Sequence, residues 1–224
     1  MQDSEIRQLD RDQRVREVLK TLAPFPAGSR GAVLTTALDT NITEAETQAA
    51  KQSAATLDRQ QQTEQKRVAI NMLKALMRSM NQTARGIDHQ LPGIADLFKM
   101  PNDSDQATVN AARGYITNAT PIAAEFTNRG LPATFLTDMQ AAIDAFDAAE
   151  DRQTAARANH TAATAAIAFV LKQQREIVRE LDTIIHNQYR DDPATLASWD
   201  SASHIESAPQ TKEEPTSPPS SPPN

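Results

Sequence analysis

The chain has 224 residues, no cysteine, one tryptophan and only 4% aromatic residues, and alanine dominates its 39% hydrophobic fraction. That excludes disulfide frameworks, thiolate chemistry and Cys-type zinc sites, and it disfavours a thick core or a large sheet. A net charge of −6, with Lys and Arg scattered along the chain, argues against a dedicated nucleic-acid binder, which presents a basic face to phosphates.

The predicted elements are helices throughout. Residues 4–22 place Ile6, Leu9, Val15, Val18, Leu19 and Leu22 at helical spacing, and Pro24-Phe25-Pro26 ends that helix. No proline occurs from Ala27 to Leu91, and Ser29 is a ready N-cap, so residues 30–88 read as one long helix or two nearly coaxial ones. The breakers from Leu91-Pro92-Gly93 to Met100-Pro101-Asn102-Asp103 predict a structured corner, with Ile94, Leu97 and Phe98 forming one apolar turn. Ser104 or Asp103 then caps a helix reaching about residue 129, bent or interrupted at Pro121 and closed by Gly130 at the C′ position. Residues 133–190 contain neither glycine nor proline, a stretch that would span about 87 Å as straight helix. Asp191-Asp192-Pro193 stops it. Residues 194–203 read as a short locking helix, with Trp199 as its anchor. The Pro- and Ser-rich residues 207–224 are expected to be disordered. The expected fold is all-α: an elongated helical bundle over residues 1–206, with two long coiled-coil-like helices and shorter bracing ones.

A strict 3,4 spacing on the last long helix gives Phe146, Ala149, Gln153, Ala156, His160, Ala163, Ile167, Val170, Gln174, Ile177, Leu181 and Ile184, of which only the two Gln and the His are polar. This is a coiled-coil type of seam, and it predicts helix-on-helix packing at shallow angles. On the earlier helix the same spacing is apolar at both ends (Ile42 and Ala45; Ile70 to Ile87). Its middle is polar at Gln52, Thr56, Arg59, Thr63 and Lys66. Either a stutter moves the seam onto Ala50, Ala54, Leu57 and Val68, or these turns face water. Both readings predict a thin waist between better packed ends.

No phosphate loop, nucleophile elbow or metalloprotease motif is present, so no catalytic, cofactor-binding or metal residue is assigned and no enzyme activity is expected. Several positions still attract notice. His160 on the seam is expected to be a structural polar residue, although a small-ligand or metal sensor at the waist is a third functional class. Asp182 and His186, one turn apart, offer two ligands of a site but read first as a surface pair near a helix C-terminus. Asp88-His89, with Arg85 a turn away, reads as capping chemistry at a helix end. Met72, Met77 and Met80 read as core filler rather than a partner groove. The tail carries two PxxP spacings, with Ser217 and Ser221 before prolines, read as a solvated spacer.

Thr83-Ala84-Arg85 with Ile87-Asp88 and Leu91-Pro92-Gly93, Gly130-Leu131-Pro132 with Phe135, and Leu181-Asp182 with Asn187, Tyr189, Arg190 and Leu196-Ala197-Ser198-Trp199 resemble strings of a family of uncharacterised, wholly helical bacterial proteins. The likeness covers roughly residues 70–206 and implies a helical fold without a known activity. The leading functional expectation is a non-enzymatic interaction or scaffold protein that docks a protein partner, or a second copy of itself, through Ala-rich coiled-coil faces. The alternative is peripheral association with a granule or lipid surface, since the Ala, Gln and Thr content is similar to that of phasins. Residues 1–20 hold no signal-like apolar run, and no stretch is long enough for a membrane span, so a cytoplasmic protein is expected.

Overall fold

The computed structural model describes residues 1–101 and 104–206. Among the described residues the protein is all-α, 83% helical, with no strand. In chain order the helices are α1 (Asp3–Thr21), α2 (Arg30–Ile87), α3 (Ile94–Leu97), α4 (Asp105–Ala119), α5 (Ala123–Thr127), α6 (Phe135–Gln188) and α7 (Pro193–Ser203). The tail expected to be disordered, its PxxP spacings and the alternative cap Asp103 lie outside the described residues.

The chemistry of the ends explains these boundaries. Ser29 Oγ accepts from the Ala32 N–H at 3.3 Å and starts α2, and Ser104 Oγ accepts from the Ala107 N–H at 3.0 Å and starts α4. Pro121 lies in a 3-10 turn, Thr120–Ile122, that separates α4 from α5. Gly130 closes α5 with φ +95°, its N–H bonding the Thr127 carbonyl at 3.0 Å while the Leu131 N–H bonds the Phe126 carbonyl at 3.2 Å. This is the Schellman pattern that glycine favours. Gly130→Ala is expected to cost about 1–2 kcal/mol, the left-handed penalty for an L side chain, read as a lower urea midpoint at an unchanged m-value.

The chain divides into two compact units, one built from Met1–Glu46 with the described residues from Ala166 onward, the other from Thr47–Ala165. In the first unit α1, the opening turns of α2, the closing turns of α6 and α7 bury Val15, Leu38, Ile42, Ile167, Leu181, Ile185 and Trp199. Arg30 pairs with Glu180 at 2.5 Å and Asn41 Nδ2 lies 3.5 Å from Gln173 Oε1, so α2 and α6 run antiparallel here. In the second unit the remainder of α2 and α6 meets α4 and α5 around an aromatic core. Phe98 stacks edge-on to Tyr115 and Phe126, with ring centroids 5.0 and 5.2 Å apart, and Phe126 reaches Phe135 at 5.6 Å. The Phe98 carbonyl accepts from Tyr115 Oη and, at 2.6 Å, from Asn81 Nδ2. Burial pushes the Tyr115 phenol up to about 12. Gln52 Nε2 to Thr164 Oγ1 (2.8 Å), Gln153 Nε2 to Thr63 Oγ1 (2.8 Å) and Lys66 to Glu150 (3.4 Å) make the pairing antiparallel in this unit as well.

Three expectations need correction. The stripe Ala50, Ala54, Leu57 and Val68 is exposed rather than a second seam, and the buried positions are Gln52, Ala55, Gln62 and Ala69. The displaced seam therefore moved the other way, to the side where amides and small residues fit against α6. Near the C-terminus of α6 the seam residue Leu181 is buried as expected, but Ile177 and Ile184 are only half-buried, and Val178 and Ile185, off the seam, are buried as well. There α6 contacts three elements, through Gln8 of α1 to the Leu171 carbonyl, Arg30 of α2 to Glu180, and Trp199 of α7 to Asp182, so a two-helix seam no longer describes it. At the corner, Phe98 is buried but Leu97 is half-exposed.

Candidate functional site

At 100° per residue, Ala50, Ala54, Leu57, Gln61, Val68, Met72 and Ala75 fall within about 60° of one another on α2, opposite the side that meets α6. All are exposed, and Leu57, Val68 and Met72 keep 66%, 57% and 45% of their surface in water. Glu64 and Arg67, paired at 2.6 Å, border the ridge. A single exposed leucine is ordinary on a protein surface; an aligned row of apolar side chains on one helix face is less so. Its apolar character was legible in the sequence, and its location was not. Of the methionines, Met77 and Met80 are core residues as expected, whereas Met72 stands on this ridge.

Asp88 does cap the corner: its Oδ1 accepts the Gly93 N–H at 3.0 Å and the Ala95 N–H at 3.1 Å. His89 and Arg85 are exposed, and His160 is half-buried on α6.

The first unit brings Asp182 and His186 together with a residue that sequence spacing did not offer, Asp200 on α7. One ligand-type atom from each lies within 4.8 Å of the others. His186 Nδ1 is 2.9 Å from the Asp182 carbonyl oxygen and 3.5 Å from Asp182 Oδ1, while Nε2 is 3.4 Å from Asp200 Oδ1. Trp199 Nε1 donates to Asp182 Oδ1 at 2.8 Å. The bond to the Asp182 carbonyl, then the two carboxylates, raise the His186 pKa. The turn Asp191-Asp192-Pro193 folds α7 back and so makes the third contact.

The same unit buries Gln8, Arg11, Asp12 and Gln174. Arg11 Nε donates to Asp12 Oδ1 at 2.8 Å. Among the described residues, Asp12 Oδ2 and both amide atoms of Gln174 have no hydrogen-bond partner. Burial drives the Asp12 carboxyl up to about 6 despite Arg11, with Arg175 and Gln8 pulling the other way. Among the described residues no helix is long and apolar enough to cross a membrane. No protein family, curated protein or solved structure matches the chain.

Proposed function

We propose that the protein is a non-enzymatic helical interaction protein that pairs with a second copy of itself along the outer ridge of α2 in its second unit. The observation that supports this reading is the exposure of Leu57, Val68 and Met72 on one helix face. An antiparallel two-fold centred on Gln61 sets Ala50 opposite Met72 and Ala54 opposite Val68, so these two large side chains each meet an alanine across the axis, while Leu57 lies opposite Gln65. That is the isologous, self-complementary arrangement of a symmetric dimer, using the helix-to-helix mode that periodic apolar anchors serve. Light scattering after size exclusion is expected to give a dimer for the wild-type chain and a monomer of unchanged helicity for Leu57→Glu with Val68→Glu. A wild-type monomer at high micromolar concentration overturns the proposal.

A second reading, peripheral association with a granule or lipid surface, draws on the same exposed ridge and on the Gln- and Ala-lined α2–α6 contact beneath it, which has little apolar area to lose on opening. Flotation with hydrophobic particles separates the two, because the dimer hides the ridge and stays in the bottom fraction.

A further inference from the structure

We infer that Asp182, His186 and Asp200 form a binding site for one divalent ion of zinc type, a metal clasp that ties α7 to α6. The inference rests on how the three side chains are held as well as on their nearness. The Nδ1–H of His186 is engaged by the Asp182 carbonyl at 2.9 Å, which leaves the lone pair on Nε2, facing Asp200. Metal-bound histidines characteristically spend their other nitrogen on a carbonyl or carboxylate in this way, which fixes tautomer and ring orientation. Asp182 is steadied from outside the cluster by the indole N–H of Trp199 at 2.8 Å, and Trp199 is itself fully buried. A rigid anchor therefore stands behind one ligand and a backbone carbonyl behind another.

The distances suit a small ion. Two ligands at the usual zinc bond lengths of about 2.0–2.2 Å stand about 3.4 Å apart in tetrahedral geometry, and His186 Nε2 and Asp200 Oδ1 are 3.4 Å apart. The remaining spread, within 4.8 Å, is closed by rotation of side chains that are about half exposed. One imidazole and two carboxylates supply two negative charges and a borderline nitrogen, a set that favours zinc or cobalt over calcium, which takes six to eight oxygens. Water completes the shell, since only three protein ligands converge.

The competing arrangement is an imidazolium held between two carboxylates with no ion. Both give the distances above, and they differ in what they take from solution. Equilibrium dialysis of the untagged full chain against zinc at pH 7.5 is expected to show one equivalent bound, weakened at least about tenfold in His186→Gln and in Asp200→Asn. Asp200 is 60% exposed, so its replacement leaves the core intact, and circular dichroism of that variant checks this. Cobalt gives a second readout that other histidines do not imitate: the single tryptophan touches a ligand, so the paramagnetic ion should quench its fluorescence stoichiometrically in the wild type and only at about tenfold or more higher cobalt in Asp200→Asn. Thermal melts should rise by several degrees with zinc, and by less in either variant at the same zinc concentration. Absence of stoichiometric uptake overturns the clasp in favour of the ion-free pair. So does uptake that both variants retain, or cobalt binding that leaves Trp199 emission unchanged.

Discussion

Replacement of Trp199 by alanine is expected to cost about 3–5 kcal/mol, the range for emptying a fully buried large aromatic site. Trp199 is completely shielded from water, the largest side chain to be so, and its indole N–H also satisfies Asp182 at 2.8 Å. Alanine would lose the packing and leave that carboxylate short of a donor. The consequence is local before it is global. α7 is 11 residues long, too short to hold itself in water, so its helicity depends on docking. The residues just after it bond α1 through the His204 carbonyl and Glu206, both on Arg14 at 2.9 and 3.1 Å, and such exposed contacts hold little. Hydrogen exchange should therefore lose protection over residues 193–203 first, with urea unfolding followed by circular dichroism reporting the full loss. Trp199→Phe keeps most of the buried area and drops the donor, and it is expected to cost about 1 kcal/mol. A loss below about 1 kcal/mol for alanine would mean that α7 is not held by its tryptophan.

That lock was legible because one large apolar residue after Asp-Asp-Pro has few alternative uses in a chain so poor in aromatics. The helix limits were legible for a similar reason: proline, glycine and Ser caps act within a few residues, α2 and α6 begin and end within two or three residues of where Ser29 and Gly130 imply, α4 starts at its Ser104 cap, and Pro121 interrupts that helix and parts α4 from α5. Seam positions were legible along α6, but not the further buried positions that additional neighbours create. The 3,4 rule on α6 picks buried or half-buried residues from Phe146 to Ile184, but past Gln174, where α1, α2 and α7 all press on α6, it misses Val178 and Ile185, which are buried as well. Periodicity along one helix carries no record of how many neighbours surround it. The polar stretch of α2 shows the same limit, since an apolar stripe reads identically whether it faces a partner helix or water. Asp200 was invisible beside Asp182 and His186 for a topological reason, because the contact depends on the reversal between α6 and α7.

The buried carboxylate of α1 supplies the other large effect, one that pH reveals. Asp12 has an ordinary value near 3.8 and is raised to about 6 in the fold, mainly because its surroundings exclude water and Arg11 only partly compensates. Between those values the folded protein holds a proton that the unfolded chain has released, so stability falls as pH rises through this window. At about 1.4 kcal/mol per pH unit, the gap amounts to about 3 kcal/mol, present in full below pH 4 and lost once the folded carboxyl ionises above pH 6. Most carboxylates push the other way, so the term is best isolated as a difference. Asp12→Asn mimics the protonated acid, keeps Arg11 charged and cannot titrate. Urea unfolding of both proteins from pH 4 to 7.5 should show the variant gaining on the wild type by about 3 kcal/mol across the range, with the change centred between the two pKa values. A constant difference would mean that the Arg11 guanidinium, which contacts Asp12 directly, outweighs desolvation and keeps the buried carboxylate ionised. In that case the layer of Gln8, Arg11, Asp12 and Gln174 would be an ion pair fixing how α1 docks, without a cost that varies over this range.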